Sequence, residues 1–350
     1  MVCRVLGLLF LLLSFPILAA DVVLKPNHPK QYVVVKGDTL WDISGKFLQY
    51  PWHWPDIWQV NPQVKNPHLI YPGDTLSLVY RDGKPYLELA RGIQSYKLSP
   101  QARETLLDEA IPTIPYDVIK PFLNRPLVVG EEVLEMAPYV VASTEERLIS
   151  AAGDKVYARG IEDAETKGYS IFTPGSVYKD PQTGEVLGYE AIYNAEGRVT
   201  RQGDPVTIML SESTREVSIG DRLMPVVEDD YAMNFMPHSP DTMPEGQIIS
   251  IYEGVSQIGQ YEVVIINRGQ REGLEVGHVL SVYQTGDVLH DSILAAKDDD
   301  DISDEELTVT LPDEYAGVVL VFKVFEKVSY AIVMKATRAI HVNDTVSAPQ

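Results

Sequence analysis

Cysteine is almost missing: Cys3 is the single one in 350 residues. One thiol excludes intrachain disulfides, thiolate zinc sites and iron–sulfur clusters. Basic residues are scarce beside acidic ones, 29 against 50, which gives a formal charge of −21. That deficit argues against nucleic acid or an anionic membrane as the main partner, because phosphate binding needs a basic surface. Past residue 20, no apolar run approaches the roughly 20 residues that a membrane span requires. The seven histidines form neither His-x-His nor His-Glu-x-x-His, and Gly-x-Ser-x-Gly does not occur. Spacing therefore suggests no zinc peptidase and no serine hydrolase, and neither a metal nor a cofactor is expected.

What is present divides into parts. At roughly 100–200 residues per domain, a chain of this length should hold two or three. A hydrophobic fraction of 45% with 23% charged residues is globular stock, which excludes wholesale disorder. Met1 to Ala20 reads as a secretory signal peptide. Arg4 is its only charge, Val5 to Phe15 is its apolar run, and Ile17-Leu18-Ala19-Ala20 offers small residues for cleavage. Export would remove Arg4 and Cys3, leaving a thiol-free chain with 28 basic and 50 acidic residues, a charge of −22.

Residues 30–80 read as a small separate module holding all four tryptophans, Trp41, Trp52, Trp54 and Trp58. Gln31 to Val35 is a β-branched strand run. Thr39 and Asp42 have capping-box spacing, and Leu40, Ile43 and Phe47 mark one face of a short helix. Pro55 opens a second helix that Asn61-Pro62 stops. Tyr71-Pro72-Gly73 suits a type II turn before a strand from Thr75 to Val79. The order is strand, helix, helix, strand.

Tyr-Val-Val-Val-Lys-Gly-Asp-Thr-Leu-Trp-Asp-Ile (32–43) and Asn-Pro…Asn-Pro-His-Leu-Ile-Tyr-Pro-Gly-Asp-Thr-Leu (61–76) resemble a LysM domain. The resemblance implies binding of the N-acetylglucosamine-containing glycans of peptidoglycan or chitin. It also implies a shallow groove between two loops, with Gly37, Asp38, Thr39 and Leu40 on one wall and Asn66, Leu69, Ile70 and Tyr71 on the other. An acetamidosugar needs backbone-like donors and acceptors, an apolar surface and close backbone approach. The same glycines and prolines are what the turns themselves need. Leu48 to Pro55 departs from the family pattern. Trp52 and Trp54 could form an accessory stacking surface for sugars, a partner patch, or an aromatic lid over a small core.

Residues 81–137 read as a proline-stiffened bridge with a strand at Tyr86–Leu89, a helix from Pro100 to Ala110, the breaker Ile111-Pro112-Thr113-Ile114-Pro115, and a short helix from Tyr116 to Leu123. Beyond it lies a degenerate repeat, with copies at 138–226 and 246–347. Val156–Gly160 matches a segment ending in Arg268-Gly269. Ile171–Val177 matches Val282–Val288, and Thr214–Asp221 matches Thr337–Asp344. The offsets are 109, 111 and 123 residues. Glycine-punctuated alternating strands suggest small β-rich barrels or sandwiches, so the fold class expected is α+β: a βααβ head, a mixed bridge and two β-rich repeat domains. The acidic run 298–306 lacks EF-hand spacing and reads as a solvated loop.

The whole pattern resembles the type IV pilus secretin-associated proteins of Gram-negative bacteria, with a tail similar to flagellar assembly protein T. That resemblance implies a non-catalytic periplasmic protein that holds peptidoglycan and braces an outer-membrane secretin. The alternatives are a LysM-targeted cell-wall hydrolase and a wall-binding protein of another envelope machine. Charge distribution bears on the choice. Residues 21–80 hold five basic and five acidic residues, whereas 81–350 carry 23 against 45. A neutral head can approach anionic wall polymer that an acidic tail would avoid.

Overall fold

The computed structural model describes residues 22–58, 70–90, 111–114, 116–123, 128–144, 147–161, 167–226, 235–252, 258–295 and 307–349. The leader 1–20, Asn66, Leu69, the helix expected from Pro100 to Ala110 and the acidic loop 298–306 lie outside them. Among the described residues, no helix is long and apolar enough to cross a membrane.

Two short helices rest on an antiparallel sheet in the N-terminal part. The order is β1 (Gln31–Val33), α1 (Leu40–Phe47), α2 (Trp54–Trp58), β2 (Thr75–Arg81) and β3 (Lys84–Ala90), with β2 between the other two strands. The expected βααβ order is present. β3 extends it, because Asp82 and Gly83 take positive φ (50° and 79°) and close a two-residue hairpin. The strand placed in the bridge at Tyr86–Leu89 thus belongs to the same sheet. The helical face Leu40, Ile43 and Phe47 is buried with Trp54, Ile57, Ile70, Leu76 and Leu89.

A connecting stretch holds α3 (Tyr116–Leu123), β4 (Val128–Val129) and α4 (Glu131–Met136). The next strands are β5 (Tyr139–Ser143), β6 (Ile149–Ser150), β7 (Lys155–Arg159), β8 (Gly168–Lys179), β9 (Val186–Arg201), β10 (Val206–Ser213), β11 (Val217–Ser218) and β12 (Arg222–Pro225). The second set is β13 (Gly246–Ile251), β14 (Val263–Ile266), β15 (Val279–Gln284), β16 (Val288–His290), β17 (Thr308–Thr310), β18 (Glu314–Val324), β19 (Ser329–Ala336) and β20 (Thr345–Ser347).

Six strands of each set close a ring along the same path. The first runs β5–β7–β10–β9–β8–β12 and returns to β5. The second runs β13–β14–β19–β18–β15–β20. Register repeats as well. Val140 opposes Ala158 and Ile248 opposes Ile266, each with a bulge beside it. Ile171 opposes Leu223 as Val282 opposes Val346, so the expected offsets of 111 and 123 residues hold. The Arg-Gly match is one residue out: the ladders equate Ala158 with Ile266, an offset of 108. Side chains alternate faces along a strand, so the sequence match would have pointed this one outward.

Alternation also divides the second barrel between two cores. Along β19, Ala331 and Val333 face the interior with Val264, Leu280 and Val321. Tyr330, Ile332 and Met334 face outward with Val263, Ile265, Leu320 and Phe322. Strands buried on both faces read as unbroken apolar runs. The outer face is covered by Trp41 and Trp52 from the head, Ile114, Ile119 and Phe122 from the connecting stretch, and Tyr178 and Leu187 from the first barrel. Residues 30–80 keep a core of their own and also pack against the second barrel. They share a core with the second barrel, and Tyr261 from that barrel donates its hydroxyl to Asp42 of α1.

The hairpin joining β8 and β9 ties the barrels together. Asp180 accepts a hydrogen bond from Asn267 Nδ2 at 2.8 Å. Glu185 meets Arg271 at 2.9 Å and Lys327 at 2.8 Å, and these two cations hold its carboxyl down at about 2. A depressed carboxyl contributes stability above its unfolded value, about 4.3, and loses it as pH falls toward the folded one. In urea melts, the stability gap between the native chain and Glu185→Gln should shrink as pH is lowered from neutral through that window. Phe322, 1% exposed, lies in the shared core; Phe322→Ala should cost about 3–5 kcal/mol in the same assay.

Candidate functional site

The two loops beside α1 and β2 were the candidate groove. Gly37 turns the first with φ +95°, where a Cβ would be strained. Asp38 Oδ2 holds the loop closed, accepting from Tyr32 Oη and Val35 N–H, both at 2.9 Å. Burial first, and then Asp38, pushes the Tyr32 hydroxyl up to about 12. Thr39 caps α1: its Oγ1 accepts the Asp42 N–H at 3.1 Å and its hydroxyl donates to Asp42 Oδ2 at 2.7 Å. Aspartate stands where a capping box usually has glutamate. Its carboxylate binds the cap's hydroxyl.

The second loop closes the same way. Gly73 takes φ +94°, Asp74 N–H donates to the Tyr71 carbonyl at 3.0 Å, and Asp74 Oδ2 accepts the Tyr71 N–H at 3.0 Å. The loops are stitched at their base, where Val34 N–H donates to the Asp74 carbonyl and Gly73 N–H to the Val34 carbonyl, each at 2.8 Å. Of the residues assigned to the walls, Gly37, Asp38 and Tyr71 keep surface, while Thr39, Leu40 and Ile70 are buried. Asn66 and Leu69 fall outside the described residues.

Neither Trp52 nor Trp54 offers the stacking surface proposed for it. Trp54 is 1% exposed inside the head's core, and Trp52 is 6% exposed against the second barrel. Trp52 packs on Tyr50 and Trp41, with ring centroids 5.1 and 6.3 Å away. The 3-10 turn Pro51–His53 leads directly into α2, so the two indoles join different cores. The insertion is interdomain packing, which the sequence could not show because the covering surface lies more than 200 residues away.

Spacing suggested no metal set, yet His238, Glu275 and His278 bring potential ligand atoms within 4.8 Å of one another. The hydrogen bond of His278 opposes that use. His278 Nδ1 accepts the Glu275 N–H at 3.0 Å, so its proton sits on Nε2, the nitrogen a metal would need. Burial first, then His238, lowers the His278 pKa, which keeps this ring neutral. His238 donates its Nδ1–H to the Met236 carbonyl at 2.9 Å, which leaves its own Nε2 unprotonated. Backbone bonds from the His238 N–H to the Gly277 carbonyl (3.1 Å) and from the Val279 N–H to the His238 carbonyl (2.8 Å) hold this segment on the second barrel.

Residues 32–79 match the LysM domain model. This segment is therefore a LysM domain, a module that binds carbohydrate of the peptidoglycan type. Over 62 residues the chain is 42% identical to "Uncharacterized protein YqbP" of Bacillus subtilis (strain 168); the stretch is 15% of this chain and 28% of that protein. The chain thus spans little more than a quarter of that relative's length.

Loss of the α1 cap should be measurable without touching the cores. Thr39→Ala is expected to lower stability by about 0.5–2 kcal/mol in urea melts, and Thr39→Ser to retain most of it.

Proposed function

We propose that this chain is a non-catalytic, peptidoglycan-binding protein of the bacterial periplasm, whose barrels brace an outer-membrane assembly of the secretin kind. The observation that carries the glycan half is the LysM match over residues 32–79. A groove between these two loops, where the LysM resemblance implies one, would offer backbone N–H and C=O groups to the acetamide of an N-acetylated sugar and apolar side chains to its ring face.

The bracing half rests on the likeness to secretin-associated proteins and on the neutral head and acidic tail. Many individually weak wall contacts around a ring would share a pulling load by avidity. Two barrels joined by the Glu185–Arg271 pair and a shared core would share such a load.

The purified chain should pellet with peptidoglycan sacculi and be released by the N-acetylglucosamine tetrasaccharide. Failure to pellet would sink the glycan reading. Tagged chain should co-purify secretin multimers from envelope extracts. Recovery of a different envelope machine would reassign the tail, and release of soluble muropeptides from sacculi would establish a cell-wall hydrolase instead.

A further inference from the structure

Residues Ile111–Ile114 lie between the two loops assigned to the glycan groove, hydrogen-bonded to residues of both. Leu40 N–H donates to the Pro112 carbonyl at 3.0 Å and Trp41 N–H to the Thr113 carbonyl at 3.1 Å. On the opposite wall, Ile111 N–H donates to the Ile70 carbonyl at 2.8 Å. Leu40 and Trp41 begin α1, and the first N–H groups of a helix have no partner within it. Thr39 satisfies the third; the crossing segment satisfies the first two.

These are the interactions an N-acetyl group would make. An acetamide is one peptide unit, with a carbonyl that accepts, an N–H that donates and a methyl that packs. Pro112 and Thr113 supply the carbonyls, Ile111 the N–H, and the Ile111 side chain, 4% exposed, joins the head's core. We propose that this segment is a built-in strap that occupies the glycan cleft as a peptide surrogate of the acetamidosugar, and that glycan binds by displacing it. This rests on the glycan reading of the cleft and adds its regulation.

Sequence prepares the strap for that role. Pro112 has a fixed φ and no N–H to strand, and it biases Ile111 toward extended backbone. Pro115 does the same to Ile114. A chain already extended gives up little entropy when it docks. Its two ends belong to different cores: Ile111 to the head's, Ile114 (1% exposed) to the one shared with the second barrel. Loosening the head from the barrel therefore loosens the strap, which couples access to the cleft with the seating of the head.

A site that is open only a fraction of the time binds with its affinity reduced by that fraction. Titrating the full chain and Ile111→Ser with the N-acetylglucosamine tetrasaccharide should show at least about tenfold tighter binding by the variant, since Ser weakens the strap and leaves both walls intact. In amide hydrogen exchange on the unmutated chain, saturating tetrasaccharide should strip protection from the Ile111 amide while Leu40 and Trp41 stay protected. This second measurement decides the matter if Ile111→Ser does not fold. Binding by the variant alone would also support the strap. Equal affinities, or sugar bound with the Ile111 amide still protected, would overturn the strap and leave the glycan reading standing. No binding by either chain would defeat the glycan reading, and the strap with it.

Discussion

Burial of the second barrel's outer face organises the molecule. Tyr330, Ile332, Met334, Val263, Ile265, Leu320 and Phe322 present a continuous apolar surface that a lone barrel would have to expose to water. Burying apolar area is worth roughly 25 cal/mol per Å², so a surface of this size demands a cover. The head supplies Trp41 and Trp52, α3 supplies Ile119 and Phe122, and the first barrel supplies Tyr178 and Leu187. Three parts distant in sequence are fixed against one another by a single requirement.

That requirement explains why the two copies of the repeat look so different. Path and register are the same, and so are small devices. Asp221 accepts the Ser218 N–H at 2.7 Å, and Asp344 accepts the His341 N–H at 2.8 Å. Gly220 and Asn343 occupy positive φ just before each aspartate. The interiors correspond: Val140, Val156, Ile171 and Leu223 in one, Ile248, Val264, Val282 and Val346 in the other. The outer faces diverge because the second barrel is roofed more widely, the first carrying only a small covered cluster around Phe172, Val129 and Ala191. β7 alternates buried and less buried positions, whereas all four residues of β14 are buried. The polar links across the joint follow from the same packing. At Asp180, burial raises the carboxyl, yet N–H groups of Thr183 and Gln182, the Thr183 side chain and the Asn267 amide bring it below its ordinary value. An otherwise costly buried acid is thereby kept charged at the interface.

The head's local features were legible because they are short-range chemistry. A cap three residues from its partner, a Pro-Gly turn and an i, i+3, i+7 face depend only on neighbours, and Thr39, Gly73 and the Leu40–Ile43–Phe47 face stand where those rules put them. The loops assigned to the groove are closed by equally local bonds. Gly37, Asp38 and Tyr71 retain surface, but burial took Thr39, Leu40 and Ile70. The bonds between the loops were not legible: Ile111-Pro112-Thr113-Ile114 read as a helix breaker, and nothing local says that its carbonyls meet the start of α1, far earlier in the chain.

Sequence by itself determined the LysM segment, the α+β class, the doubled β-rich unit and the absence of disulfide chemistry. Each follows from residue type, period or count, and needs no knowledge of what lies across the molecule. Only the tertiary structure decided that Trp52 is packing rather than a sugar platform, that β3 belongs to the head, that the repeat slips by one residue at Ala158, and that residues 111–113 bond to the start of α1 and to Ile70. The physical reason is common to all four. A strand face, an indole or a free carbonyl carries no mark of its partner, and partners are chosen by which apolar surfaces and backbone groups the whole chain must bury together.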